Sequence, residues 1–230
     1  MVDSTLSKTV QLLVEREPQI QDALEKGYGN FSAIARLLKP KVEEILGKNV
    51  TMGGLITAVK RVKTVYAPKV EYQKIIAESV INLRTDVAKL SLERTRKNLE
   101  KARLISADFP EAFFQVLEGA TTLTLITDQR IFEEVRSVFR DVEKLDEKPN
   151  LAAAIVQSPK AIVNTPGCIV AFYNPISRAQ INIEETISCF TETVIVLRME
   201  DVARAFNLLT NLIADARRAV SYTHLTLPTK

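Results

Sequence analysis

Histidine, tryptophan and cysteine are nearly missing from this chain of 230 residues, which holds one, none and two of them respectively. One imidazole and two thiols leave little for a metal cage, a disulfide framework or histidine-based acid–base catalysis. Glycine is scarce as well, with seven residues. No phosphate loop of the GxxxxGK[ST] type, no dinucleotide fingerprint and no HExxH zinc motif occurs. Gly27-Tyr28-Gly29 reads as a helix stop. The acid pairs Glu43-Glu44, Glu133-Glu134 and Glu184-Glu185 are adjacent, so their side chains point to different faces and read as charged surface. The chain is therefore expected to be non-enzymatic, with no cofactor and no metal. No apolar run approaches the ~18 residues of a membrane span. Met1 to Lys8 carry an acid and no apolar stretch of the kind a signal peptide needs. The expectation is a cytoplasmic protein with no membrane partner, in which Cys168 and Cys189 are reduced, buried thiols.

What is present is ordinary for a folded chain: 46% hydrophobic and 26% charged residues. The net charge of +3 is unevenly spread. Residues 1–74 carry twelve Lys and Arg against eight Asp and Glu, whereas residues 75–220 carry eighteen against twenty. A basic N-terminal end favours an anionic partner such as DNA. The stretch Ser221 to Lys230 breaks the preceding pattern and resembles a translated sequencing-adapter tail. Residues 221–230 are accordingly expected to be non-native and to lie outside the fold, His224 with them.

Residues 1–66 read as helices. Leu6, Val10, Leu13 and Val14 keep a helical spacing, as do Ile20 and Leu24 after Pro18. A second helix opens at Asn30 or Ser32, with Phe31, Ile34, Leu37 and Leu38 on its apolar face. Pro40 predicts the start of a further turn or helix carrying Val42, Ile45 and Leu46, ended by Gly47. Thr51 predicts the cap of a last helix that turns Leu55, Ile56, Val59 and Val62 inward.

From about Tyr66 to Lys69 the texture changes to alternating strand and helix patterns. Residues 80–93 alternate with period two, with a phase slip that suits a β-bulge. A helix over Thr95–Leu104, strands at Phe113–Leu117 and Thr121–Thr127 and a helix capped by Asp128 complete the first round. Asp141–Asn150 reads as a charged linker. The second round is a strand within Leu151–Val163, a helix over Gly167–Ala179 interrupted at Asn174-Pro175, strands at Ile181–Phe190 and Thr193–Leu197, and a helix over Asp201–Ile213. Both rounds spell strand, helix, strand, strand, helix. The fold class is α+β: an N-terminal helical, helix-turn-helix-like module (1–66) followed by two ferredoxin-like βαββαβ units, 75–140 and 151–213. The last strand of the second unit has no candidate. Either Leu151–Val163 serves both units or the strand lies beyond the tail.

In the second round, Asn164-Thr165-Pro166-Gly167, then Gln180-Ile181-Asn182-Ile183, then the stretches Ile187–Leu197 and Asp201–Ala205, resemble the ACT domain of aspartate kinases and related amino-acid-binding regulators. The resemblance covers 151–213. It implies that a small effector, usually an amino acid, sits between the loop after the first strand and the start of the second, often where two ACT units meet. Carried over by position, it implies Asn164, Thr165, Gly167, Cys168 and Asn182 as ligand-binding residues, and a homodimer formed through the ACT units. Independently, a glycine turn into a helix N-terminus presents amide donors suited to a carboxylate, and Asn182 can both donate and accept. The chain departs from the family at Gln180, where glycine is usual, and at Pro175, which should kink or break the helix. The first unit matches only in outline, lacks the proline-glycine turn and reads as a structural partner.

Ser32–Leu38 followed by Asn49–Val62 is similar to helix-turn-helix modules. That likeness implies DNA contacts from Thr51, Gly53 and Thr57, with Lys60, Arg61 and Lys63 on phosphates. The segment Pro40–Lys48 is longer than a tight turn. A bundle for dimerisation or for docking another protein remains the other reading, and basic residues at a helix C-terminus also complement its dipole. The sequence thus predicts an amino-acid-sensing regulator of transcription, whose ACT units control DNA binding by the N-terminal helices; the alternative is a detached regulatory subunit that docks on an amino-acid biosynthetic enzyme.

Overall fold

The chain forms two compact units, Met1–Pro68 and Lys69–Lys230. In the computed structural model residues 5–62 and 70–225 are described. The first unit holds α1 (Leu6–Glu15), α2 (Pro18–Glu25), α3 (Phe31–Leu46) and α4 (Met52–Lys60). Their apolar stripes meet in one core built on Val10, Leu13, Val14, Leu38, Leu55 and Val59. Local chemistry fixes the ends. The Asn30 side chain accepts the amides of Ser32 and Ala33, and the Thr51 hydroxyl accepts that of Gly54. Gly47, at φ 63°, supplies the left-handed residue that stops α3.

Pro40 does not begin a new helix. α3 runs through it without interruption. Pro40 and Arg36 both face solvent, so the carbonyl that loses its helical donor can bond water, which limits the cost. Phe31 and Leu37, expected on the apolar face, are exposed.

The second unit begins with α5 (Val70–Glu78) and continues through β1 (Val80–Glu93), α6 (Arg96–Ala107), β2 (Phe114–Glu118), β3 (Thr122–Asp128), α7 (Phe132–Val138), β4 (Lys144–Gln157), α8 (Cys168–Arg178), β5 (Glu185–Cys189), β6 (Glu192–Arg198) and α9 (Val202–Leu225). Every strand pairing is antiparallel, and the spatial order is β2-β3-β1-β4-β6-β5.

The two central strands, fourteen residues each, belong to both halves. Val87–Glu93 of β1 pair with β3, whereas Val80–Arg84 pair with β4 alone. In β4, Leu151–Gln157 pair with β6, whereas Lys144–Lys148 pair only with β1. The start of β4 is thus the fourth strand of the first unit, and the start of β1 is the fourth strand of the second. That strand comes from upstream of the first unit, not from beyond the tail. Register shifts in β1 between Arg84 and Lys89, and left-handed residues Asp86 (φ 56°) and Asn150 (φ 59°), mark where each long strand changes role. The charged run expected as a linker is a strand. Pro149 is tolerated in it because the ladder to β6 begins only at Leu151, so no donor is needed on that side.

Helices cover one face of each half. Leu90, Leu92, Leu123 and Leu125 pack beneath Phe132, Val135 and Phe139. Val156, Ile195 and Leu197 pack beneath Phe172, Ile176 and Leu209. The opposite face joins Val87 and Ile126 of the first half to Ala153, Val194 and Val196 of the second in a further cluster. Residues 87–92 and 151–154 are therefore buried on both faces, as strands between two covered layers must be.

Three more expectations change. α8 is unbroken from Cys168 to Arg178, with Pro175 near its C-terminal end. β5 starts at Glu185 rather than Ile181. α9 extends through Ser221 into the stretch read as a tail, as far as Leu225. Cys168 is buried, but Cys189 is exposed, because β5 is an edge strand with solvent on its outer side.

Candidate functional site

The turn between β4 and α8 carries four of the five residues expected to bind a ligand. A 3₁₀ turn, Lys160–Asn164, leads to Thr165, whose hydroxyl donates to the Ala161 carbonyl at 2.9 Å. Gly167 takes φ 88° and sits at the N-cap of α8, where no side chain caps the helix. A side chain at that φ would be strained, so glycine suits the position. First-turn amides of a helix have no helical carbonyl partner, and the helix dipole adds positive potential there. Asn164 is exposed, Cys168 is buried below the turn, and the exposed Val163 and Val170 flank it.

Asn182 lies elsewhere. The register Ala153–Val196–Glu185 and Gln157–Glu192–Cys189 places the start of β5 level with the middle of β4, and its end level with the end of β4. The turn follows the end of β4, and α8 runs back about 16 Å from it. Asn182 therefore stands at the opposite end of α8 from Gly167, in the loop before β5. One chain does not bring the five residues together. Asn182 is not on a strand face either: its amide donates to Glu184 at 3.2 Å.

Glu184 is the residue that sequence reasoning missed. Its side chain is 2% exposed and holds Lys148 and the Nε of Arg198 at 3.1 Å, with the Lys89 ammonium 3.9 Å away. Lys89 also donates to the Glu184 main-chain carbonyl and pairs with Asp146 at 2.8 Å. Burial pushes the Glu184 carboxyl up, but the hydrogen bonds from Lys148, Arg198 and Asn182 outweigh it and hold the group below the usual carboxylate range. The same bonds, above all, raise the Lys148 and Arg198 cations. Adjacent acids gave no sign of this, because the partners come from β4 and β6 and from the other half. Among the described residues no cluster of His, Cys, Asp or Glu suits a metal ion, and no helix is long and apolar enough to cross a membrane.

On the helical module Thr51, Gly53, Thr57, Lys60 and Arg61 are all exposed. Gly53, Thr57 and Lys60 fall on one face of α4 by their spacing. Thr57 donates to the Gly53 carbonyl at 2.8 Å, and the Lys60 ammonium sits 5.8 Å from the centre of the Phe31 ring. A Cβ added at Gly53 would meet nothing. Lys63 lies outside the described residues.

No family model and no curated protein matches the sequence. Solved structures do. The ligand-free regulatory subunit of aspartate kinase from Thermus thermophilus aligns with a TM-score of 0.50 at 12% identity, over 57% of this chain and 95% of that one. Aspartate kinase from Synechocystis aligns with a TM-score of 0.52 at 14% identity, over 60% of this chain and 27% of that one. At such identities the likeness is one of fold. Behind an unassigned helical module, the C-terminal part of this chain has the six-stranded antiparallel architecture of the tandem ACT units of aspartate kinase.

Proposed function

We propose that this chain is a cytoplasmic regulatory protein without catalytic activity of its own, whose paired ACT-like units bind a small effector, an amino acid or a close analogue. The observation that carries this reading is the sharing of β1 and β4. Each half holds a strand of the other, so a ligand that favours one arrangement of one half acts directly on the second. The effector site takes its carboxylate contacts from the turn around Asn164, Thr165, Gly167 and Cys168. Asn182, at the far end of α8, joins it from a second copy in a homodimer. A panel of amino acids tested by thermal shift on the whole chain checks this: a specific ligand at ~100 times its dissociation constant adds ~2.7 kcal/mol. Absence of any shift across the panel would remove the sensor reading.

For the helical module, we infer that the exposed face of α4 is its working surface and that DNA is its partner. Gly53 supports this, since an exposed helical glycine with nothing near its missing Cβ has no packing reason to be there. Lys60 and Arg61 lie beside it, and Lys63 follows in the sequence. Anisotropy titrations of the whole chain with duplex DNA should show affinity falling steeply with salt. The competing reading, a subunit that docks on a biosynthetic enzyme, follows from the likeness to a regulatory subunit. Co-purification with such an enzyme and no DNA affinity would favour it.

A further inference from the structure

Each long strand leaves a cleft where the neighbouring short strand stops. Beside β4 the cleft is about 350 Å³ and includes Lys148, Asn150, Arg198 and Glu200. Beside β1 it is about 530 Å³ and is formed by Leu83, Arg84, Thr85, Asp86, Asp128 and Arg130. The two clefts occupy equivalent places, at the left-handed bulge residues Asn150 and Asp86 and at the ends of β6 and β3. Their charges differ. In the first, Lys148 and Arg198 are both bound to the buried Glu184.

In the second, the internal carboxylate is already satisfied. Asp128, 8% exposed, accepts both Nε and Nη2 of Arg84 at 2.8 Å and the Phe113 amide at 3.0 Å. Arg84 is held further by the Phe113 ring, 5.1 Å from its guanidinium carbon. This leaves Arg130, 68% exposed and no nearer than 3.5 Å to Asp128, with donors to spare. The Asp86 carboxylate, which also lines the cleft, accepts the neighbouring Thr85 hydroxyl at 3.0 Å and, among the described residues, has no other hydrogen bond and no ion pair. The stretch Leu83–Asp86 lies beyond the end of the β3 ladder, so among the described residues its main-chain groups have no strand partner on that side. Asp86 holds a left-handed backbone in which glycine or asparagine would serve the fold equally well.

We propose that this cleft is a binding site for a small zwitterion, with the ligand's carboxylate on Arg130 and Arg84 and its ammonium on Asp86. It is separate from the α8 turn and does not depend on it. Its size lies within the ~300–1,000 Å³ range of small-molecule sites. One charge of each sign, held in one cleft, selects a molecule that carries both: a ligand with the carboxylate alone meets Asp86, and one with the ammonium alone meets Arg130.

Calorimetric titration of the whole chain with the common amino acids tests this, with propionate and propylamine as ligands that carry one charge each. The variants are Asp86→Asn, which keeps a residue tolerant of positive φ, and Arg130→Gln, at an exposed position; Gly167→Val serves as the control for the α8 turn. The expected result is a zwitterion-binding event that neither singly charged ligand shows and that each cleft variant weakens roughly ten-fold or more; an event at the α8 turn is counted separately, as the one that Gly167→Val removes. Equal binding of the singly charged ligands overturns the proposal, as does a zwitterion titration that both cleft variants leave unchanged. Loss in Gly167→Val with no change in the cleft variants assigns the ligand to the α8 turn instead and overturns the cleft. No binding of any zwitterion overturns both.

Discussion

The ammonium of Lys89, in the first half of the sheet, donates to the main-chain carbonyl of Glu184, in the second, at 3.1 Å across 95 residues of sequence. The Glu184 side chain is at the same time the hub for Lys148, Arg198 and Asn182. This ionic cluster and the apolar cluster of Val87, Ile126, Ala153 and Val196 are where the two halves meet.

Glu184→Gln should destabilise the chain by about 2 kcal/mol at neutral pH, since it removes the charge that its bound cations answer. The pH dependence has a definite sign. The Glu184 carboxyl is held below the usual carboxylate range in the fold, so the unfolded chain takes up that proton first as pH falls. Its contribution is complete above the ordinary carboxylate pKa and disappears as pH drops through the lowered one. Urea titrations of both proteins should show the difference at pH 7 and show it vanishing in strong acid. An equal difference at both would mean that the charge is not the cause.

Gln180→Gly should stabilise the chain by about 1 kcal/mol. Gln180 follows α8 with φ 56°, a conformation that costs a side-chain-bearing residue roughly that much. The relaxed variant should also show why glycine is usual here in the family that this region resembles. A loss of stability in thermal unfolding would mean that Gln180 makes an interaction worth more than its strain.

Gly53→Ala separates fold from function on α4. With open space at the added Cβ, the substitution should raise stability by up to about 1 kcal/mol. If α4 approaches DNA with its bare backbone, the same variant should bind duplex DNA several-fold more weakly. A gain in stability with unchanged DNA affinity would leave the glycine without the role assigned to it.

Ile126→Ala should cost about 2–4 kcal/mol. Ile126 is fully buried in the cluster that joins the halves. Because β1 and β4 run through both units, the loss should lower one cooperative transition of residues 70–225 rather than release one half first. Hydrogen exchange by mass spectrometry distinguishes the two outcomes.

Much of the scaffold could be read from local signals. Asn30 and Thr51 cap helices where their side chains announce it, and the phase slip read in residues 80–93 answers to register shifts between Arg84 and Lys89. Signals failed where the deciding partner is distant. Asp146 and Lys148 look like linker charges until Lys89 and Glu184 are placed against them. Pro175 looks like a helix breaker, yet it falls late enough in α8 for the helix to continue to Arg178. Of the ligand-binding candidates, Asn164, Thr165, Gly167 and Cys168 share one turn, because they are contiguous in sequence. Asn182 could be separated from them only once α8 and the β5 register were known.

The crossing of β1 and β4 also sets an order of assembly. Residues 87–150 contain all four strands and both helices of one unit in uninterrupted sequence, whereas the other is split between 80–86 and 151–225. During synthesis the inner unit can close as soon as residue 150 clears the ribosome. The start of β1, made before it, must then wait without a strand partner until Ala153–Gln157 follow and pair with it.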